Sequence, residues 1–264
     1  MTTSLARPIF QLQQIGVILA LVITVILNIL ANSLPLNGQT TAAISDRYPL
    51  LITPPGYVFA IWGLIYISLI GYAIYQALPG QAGNPRLHAA APWFWLSCAS
   101  NSTWLLLWHY NFPILSFPAM ATVLIGLIGV YLNLRSSDTI TKGERWLVRP
   151  AFSLYLGWIC VATLVNGGVL LYELGWQDTG VGGIVSTIVL LVLAGGLSWW
   201  FARRWRDGVL PLVVAWAASG IALKQAAIAP LAVVAWGVAA AALIAAAYAV
   251  QKGQAQSGQR RRDS

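Results

Sequence analysis

Charge is what this chain most lacks. Only 8% of its 264 residues are Asp, Glu, Lys or Arg, against about 25% in a soluble domain. Hydrophobic residues reach 58%, and mean hydropathy is +0.72. Such a chain cannot cover a water-soluble globule, and it is too apolar to be disordered. Acid is scarcest of all, with seven carboxylates in the whole sequence. None lies at the centre of an apolar run, which argues against a proton or cation relay of the carboxylate type. The two cysteines, Cys98 and Cys160, fall inside apolar runs and read as small buried hydrophobes, not a disulfide framework. No CxxC, HExxH or P-loop spacing occurs, so neither a metal site nor an ATP-driven pump is indicated. The sequence is that of a membrane protein.

A spanning helix needs about 20 mainly apolar residues. That ruler places eight spans, at 13–34, 57–78, 90–110, 114–134, 149–172, 182–202, 208–225 and 229–250. The fold class expected is all-α, a polytopic membrane helix bundle. Lys and Arg collect on the cytoplasmic side of such proteins. With eight spans and an inside N-terminus, only Arg47 and Lys224 fall outside, and the other 13 of the 15 basic residues fall inside. Both termini are therefore expected in the cytoplasm. A net charge of +8 placed in short loops points to topology and excludes a nucleic-acid partner. The lipid bilayer is the first partner.

Residues 36–56 form the longest outside segment, with Tyr48 in its middle and Pro54-Pro55 at its end. Paired prolines set an extended entry and start the next helix cleanly. The segment reads either as a helix start with an interfacial tyrosine or as a semi-rigid lid over a cavity. Beneath it, helical spacing groups polar and aromatic side chains. Asn101 and Trp104 lie three apart, and Trp158, Ala162 and Asn166 lie four apart, so each set shares a helix face. At 1.5 Å per residue, Trp62 sits roughly 9 Å below the outer surface, and Asn166 and Trp104 lie near the same depth. Asn28 falls in the same outer half. These groups serve either as interhelical hydrogen bonds and packing or as the lining of an aromatic pocket. His88 and His109, the only histidines, lie near helix ends and read as interfacial or capping groups, with a haem-ligand role for His109 as the lesser alternative.

Three stretches together resemble a known family. They are Pro54-Pro55-Gly56-Tyr57-Val58-Phe59 followed by Trp62-Gly63 and Tyr66; Asn101-Ser102-Thr103-Trp104; and Trp158, Ala162 and Asn166. In this order, on successive helices, the set resembles the TspO/translocator proteins (tryptophan-rich sensory protein, TspO/MBR). The resemblance spans residues 13–173. It implies a five-helix membrane domain whose pocket is closed by the first loop, and ligands such as protoporphyrin, haem, sterols or synthetic aromatics. Carried onto this chain, it assigns ligand binding to Trp62, Tyr66, Asn101, Trp104, Trp158, Ala162 and Asn166, and the lid to Tyr48, Pro54 and Pro55. Ile61 stands where the family has a proline before the tryptophan.

The organisation expected is a cytoplasmic segment 1–12, a TspO-like domain 13–173, three additional transmembrane helices in 174–250 and a basic tail 251–264. The Gly- and Ala-rich stretch of the added helices packs against the core or joins two copies in a homodimer. Trp216 and Trp236 either pack there or add a wall to a cavity. The expected function is binding of a small hydrophobic, tetrapyrrole-like ligand, as sensor or carrier, with porphyrin or haem as ligand and no required cofactor. The alternatives are a permease for a small metabolite and a structural or assembly factor without ligand. Binding is favoured over catalysis, which enters only as porphyrin photochemistry at a tryptophan. The expected location is a bacterial inner membrane.

Overall fold

The computed structural model describes residues 3–137, 140–177 and 180–260, with side chains from residue 11 to 253. Met1, Thr2 and Arg261 to Ser264 lie outside the described residues, so the basic tail is seen only in part. Among the described residues every regular element is a helix. They are α1 (Thr3–Ser33), α2 (Thr41–Asp46), α3 (Ile61–Ala77), α4 (Pro85–His109), α5 (Pro113–Leu134), α6 (Arg149–Glu173), α7 (Val181–Trp205), α8 (Val209–Lys224) and α9 (Ala229–Arg260).

All eight expected spans are helices, and α2 is an extra short helix inside the long outer loop. Among the described residues, six segments have the length and apolarity to cross a membrane. The other two differ for physical reasons. At 16 residues α8 is short for a bilayer. In contrast, α4 has 25 residues but carries His88, Asn101, His109 and four tryptophans. Its polarity suits a helix surrounded by protein, and Trp104, Trp108, Asn101 and His109 are all buried.

Neighbour relations close five helices into a ring. α1 packs on α3 and α4, α4 on α5, α5 on α6, and α6 on α3. α7, α8 and α9 pack on one another, and α8 docks the trio onto α6. Glycines set the close approaches. A Cβ on Gly126 would lie 3.0 Å from Trp93 O and Ser97 N, which brings α5 against the α4 backbone. At the α6–α8 contact, a Cβ on Gly157 would meet Val213 and Leu210 at 3.1 and 3.3 Å.

Polar ties secure the end that carries most basic residues. Arg86 forks onto Glu144 at 2.8–3.0 Å. Glu144 and Thr141 exchange hydrogen bonds, Thr141 N to Glu144 Oε2 and Glu144 N to Thr141 Oγ1, both 3.1 Å. This reciprocal pair is a capping box that starts the helical run into α6. Nearby, buried Asp207 accepts from Arg135 at 2.8 Å, Tyr131 at 2.8 Å and Ser153 at 2.6 Å through Oδ2. Its Oδ1 takes the first amides of α8, Val209 N at 2.9 Å and Leu210 N at 3.3 Å. One carboxylate thus joins α5, α6 and the start of α8.

Candidate functional site

At the opposite end, spacing on α4 and α6 builds a polar and aromatic layer. Asn101, Trp104 and Trp108 follow each other at three and four residues, so α4 presents them on one face. Asn28 Nδ2 of α1 donates to Asn101 Oδ1 at 2.9 Å. Trp104 Nε1 donates to Asn166 Oδ1 of α6 at 2.9 Å, and Ser116 of α5 reaches the same oxygen at 3.4 Å. Asn166 Nδ2 donates back to Ala162 O at 3.0 Å. The two asparagines therefore stitch α1, α4, α5 and α6 together.

Above this layer lies a cavity of about 20 Å³. Its aromatic lining is Phe59, Trp62, Trp104, Trp108 and Trp158, and Pro54, Thr41, Ser45, Val161, Ala162, Val165 and Asn166 complete it. Phe59 and Trp62 each meet Trp158 edge-on, with centroids 5.6 and 6.3 Å apart. Trp62 stacks on Tyr66 at 5.5 Å, and Trp104 on Trp108 at 6.0 Å. Two buried polar atoms of the lining, Trp158 Nε1 and Ser45 Oγ, have no hydrogen-bond partner. Leaving a buried donor unpaired costs about 1–3 kcal/mol, so both are groups a ligand acceptor would satisfy.

Of the residues singled out from sequence, Trp62, Trp104, Trp158, Ala162, Asn166 and Pro54 line this cavity. Tyr66 stands behind Trp62 and does not line it. Asn101 also lies off the lining, with its Oδ1 taken by Asn28 and its Nδ2 unpartnered. Pro55 rests beside Gly220 of α8. Tyr48 packs on Trp108 and Tyr172, outside the cavity. Trp108, Phe59, Thr41 and Ser45 were not among the expected site residues. Trp108 was signalled by its four-residue step from Trp104, and Phe59 by its three-residue step to Trp62. Thr41 and Ser45 sit on α2, which no periodicity in so short a loop helix announces.

The outer loop is tied down along its length. Thr40 caps α2 by accepting from Ala43 N at 3.2 Å. Asn37 and Gln39 donate to His109 O at 3.0 and 2.8 Å. Arg47 bonds Asn111, and Tyr48 donates to Glu173 at 2.9 Å. Burial, and then the bond to Glu173, raise the Tyr48 phenol to about 12. From α8, Lys224 pairs with Asp46 at 2.8 Å, Gln225 donates to Leu51 O at 3.1 Å, and Trp216 donates to Val58 O at 3.1 Å. Trp216 thus holds the loop from outside and does not line the cavity. Trp236 is half exposed.

His109 is fully buried. Its Nδ1 donates to Leu105 O at 2.9 Å, which leaves Nε2 as an unpartnered acceptor. Among the described residues no three His, Cys, Asp or Glu side chains group as metal ligands do.

A family model described as "TSPO-like protein" matches residues 14–249. The match runs past residue 173 and takes in α7, α8 and most of α9. A search of the curated proteins and a search of the solved structures each return no significant match.

Proposed function

The chain belongs to the TSPO-like protein family, and on that premise we propose that it binds a flat, hydrophobic aromatic molecule of tetrapyrrole type under its outer loop, as a sensor or carrier. The observation that carries this reading is the convergence of four indoles and Phe59 on one cavity with two unsatisfied donors, Trp158 Nε1 and Ser45 Oγ. Indole faces stack on extended π-systems. The two donors suit the carboxylate or carbonyl oxygens of such a ligand. Trp62, Trp104 and Trp158 stack on it, Tyr66 braces Trp62, and Asn101 and Asn166 hold the frame.

Size makes the loop a gate. A cavity of about 20 Å³ holds about one water, whereas pockets for drug-sized ligands span roughly 300–1,000 Å³. Binding therefore requires the loop to lift and the indoles to part. The distribution of Lys and Arg supports a cytoplasmic basic end, and with it a gate on the outer side of a bacterial inner membrane.

The test is quenching of intrinsic tryptophan fluorescence by protoporphyrin and by haem, in purified protein beside Trp158→Ala. Saturable quenching that weakens at least tenfold in the variant, about 1.4 kcal/mol, supports the site. Identical, non-saturable quenching in both overturns it. Protoporphyrin flux in proteoliposomes then separates a carrier from a sensor. A structural role without ligand is the second reading. It is favoured by the small cavity and by the asparagine bonds that join four helices. It predicts that no ligand raises the melting temperature.

A further inference from the structure

On the other face of α6, away from the tryptophan cavity, α6 and α7 stand apart. A cleft of about 570 Å³ lies between them, bounded by Phe117 of α5 and by residues 49–52 of the outer loop. Its volume falls within the rough 300–1,000 Å³ range of sites that hold a small molecule. Both helices are long and apolar enough to cross a membrane, so the cleft lies at bilayer depth. Lining residues Leu171 and Val189 are also exposed on the outer surface of the bundle, which makes the cleft continuous with the lipid.

The wall chemistry selects the occupant. Gly167, Gly168 and Gly183 line it without side chains, and Phe117 and Leu50 close in on the first two, at 3.4 and 3.1 Å from where a Cβ would stand. The hydroxyls of Thr163, Ser186 and Thr187 each donate to a carbonyl of their own helix, at 2.7, 3.0 and 2.8 Å. Their protons are thus spent, and the rest of the wall is mainly hydrocarbon (Leu164, Leu170, Leu171, Val189 and Leu190), so the space suits an apolar chain. No described residue of the lining is charged. The polarity that remains is at the outer end, in Tyr172, Trp176 and Gln177. The next charge on α6 there is an acid, Glu173.

We infer that this cleft is a second binding site, which takes one acyl chain of an uncharged amphiphile from the bilayer. The chain lies between α6 and α7, and the head group meets Gln177 and the aromatic rim. The site is separate from the tryptophan cavity, and each stands or falls alone.

The test is native mass spectrometry of the full chain released from micelles with mono-oleoylglycerol or sodium oleate. Wild type is compared with Ser186→Trp, which fills the cleft, and Val185→Trp, which adds the same ring to an exposed position outside it. Wild type and Val185→Trp retain one mono-oleoylglycerol. Ser186→Trp loses it by about tenfold or more, since displacing even two methylenes has that effect. Oleate, whose head group is charged, is retained about tenfold less than the neutral lipid. Equal retention by the two variants overturns the site, and equal retention of oleate overturns the neutral head group. Should Ser186→Trp fail to fold, photolabelling of wild type with a diazirine-bearing monoacylglycerol decides. Label concentrated in 163–171 and 183–190 supports the cleft. Label spread equally over the lipid-facing side of α1 reduces it to ordinary bilayer contact.

Discussion

Asp207→Asn tests how the trio of α7, α8 and α9 is held. The carboxylate is 3% exposed, and both of its oxygens face N–H donors that cannot rotate away. Oδ2 takes Arg135 Nη2, and Oδ1 takes the Val209 and Leu210 amides. An asparagine amide has one oxygen and one NH2. Either orientation therefore sets a donor against a donor, and Arg135 is left without its counter-charge. Breaking one side of a buried ion pair costs about 3–5 kcal/mol. At roughly 2–4 °C per kcal/mol for a chain near this size, the melting temperature falls by about 6–20 °C. The assay is thermal unfolding in one detergent, followed by tryptophan emission. Asp46→Asn is the comparison, because the Lys224–Asp46 pair is exposed at 32% and 49%, where such pairs contribute about 0–1 kcal/mol. Asp207→Leu with Arg135→Met removes both charges but leaves Tyr131, Ser153 and the Val209 and Leu210 amides without their acceptor, so it stays destabilised even with no unpaired charge. A melting temperature for Asp207→Asn within about 2 °C of wild type refutes the reasoning.

Two further outcomes follow from the packing and the loop. Gly129→Ala places a methyl group on the Trp93 indole at the α4–α5 contact, and overpacking of this kind costs about 1–3 kcal/mol, read as a lowered melting temperature. For Tyr48 the sign follows from its raised folded value. The neutral phenol that donates to Glu173 is fully present below its usual value of 10 and is lost as pH rises through about 12. Proteolysis within residues 36–56 therefore accelerates across that window in wild type. In Tyr48→Phe it is faster from the start and shows no such step.

Six of the eight expected helices were legible as long apolar runs, because bilayer thickness turns run length into structure, whereas α8 is shorter and α4 more polar than that ruler asks. The meeting of Asn101 with Asn28 and of Trp104 with Asn166 was legible in kind, since helical spacing and depth put those groups in one layer. Their partners were not, because spacing fixes a face and not which neighbour it meets. Asp207 shows the limit most plainly. In sequence it is one acid in a short loop after Trp205-Arg206, in a segment that the basic residues dominate. Only the approach of α5 and α6 reveals it as the acceptor for five donors. The cleft between α6 and α7 was equally invisible, since periodicity describes surfaces and says nothing of gaps between them.

The hold of α8 on the outer loop has a thermodynamic consequence. Lys224 and Trp216 belong to a helix outside the five-helix ring and Gln225 follows directly on it, yet the three grip the segment that roofs the ring. In the opening proposed above, lifting that roof breaks these bonds to α8, and displacing α8 loosens the roof. The two equilibria share one coupling free energy, and such coupling is reciprocal. Whatever opens the ring weakens the seat of the trio by the factor with which a shift of the trio eases opening. In the proposed opening, α7, α8 and α9 are thus coupled to the ring within one chain.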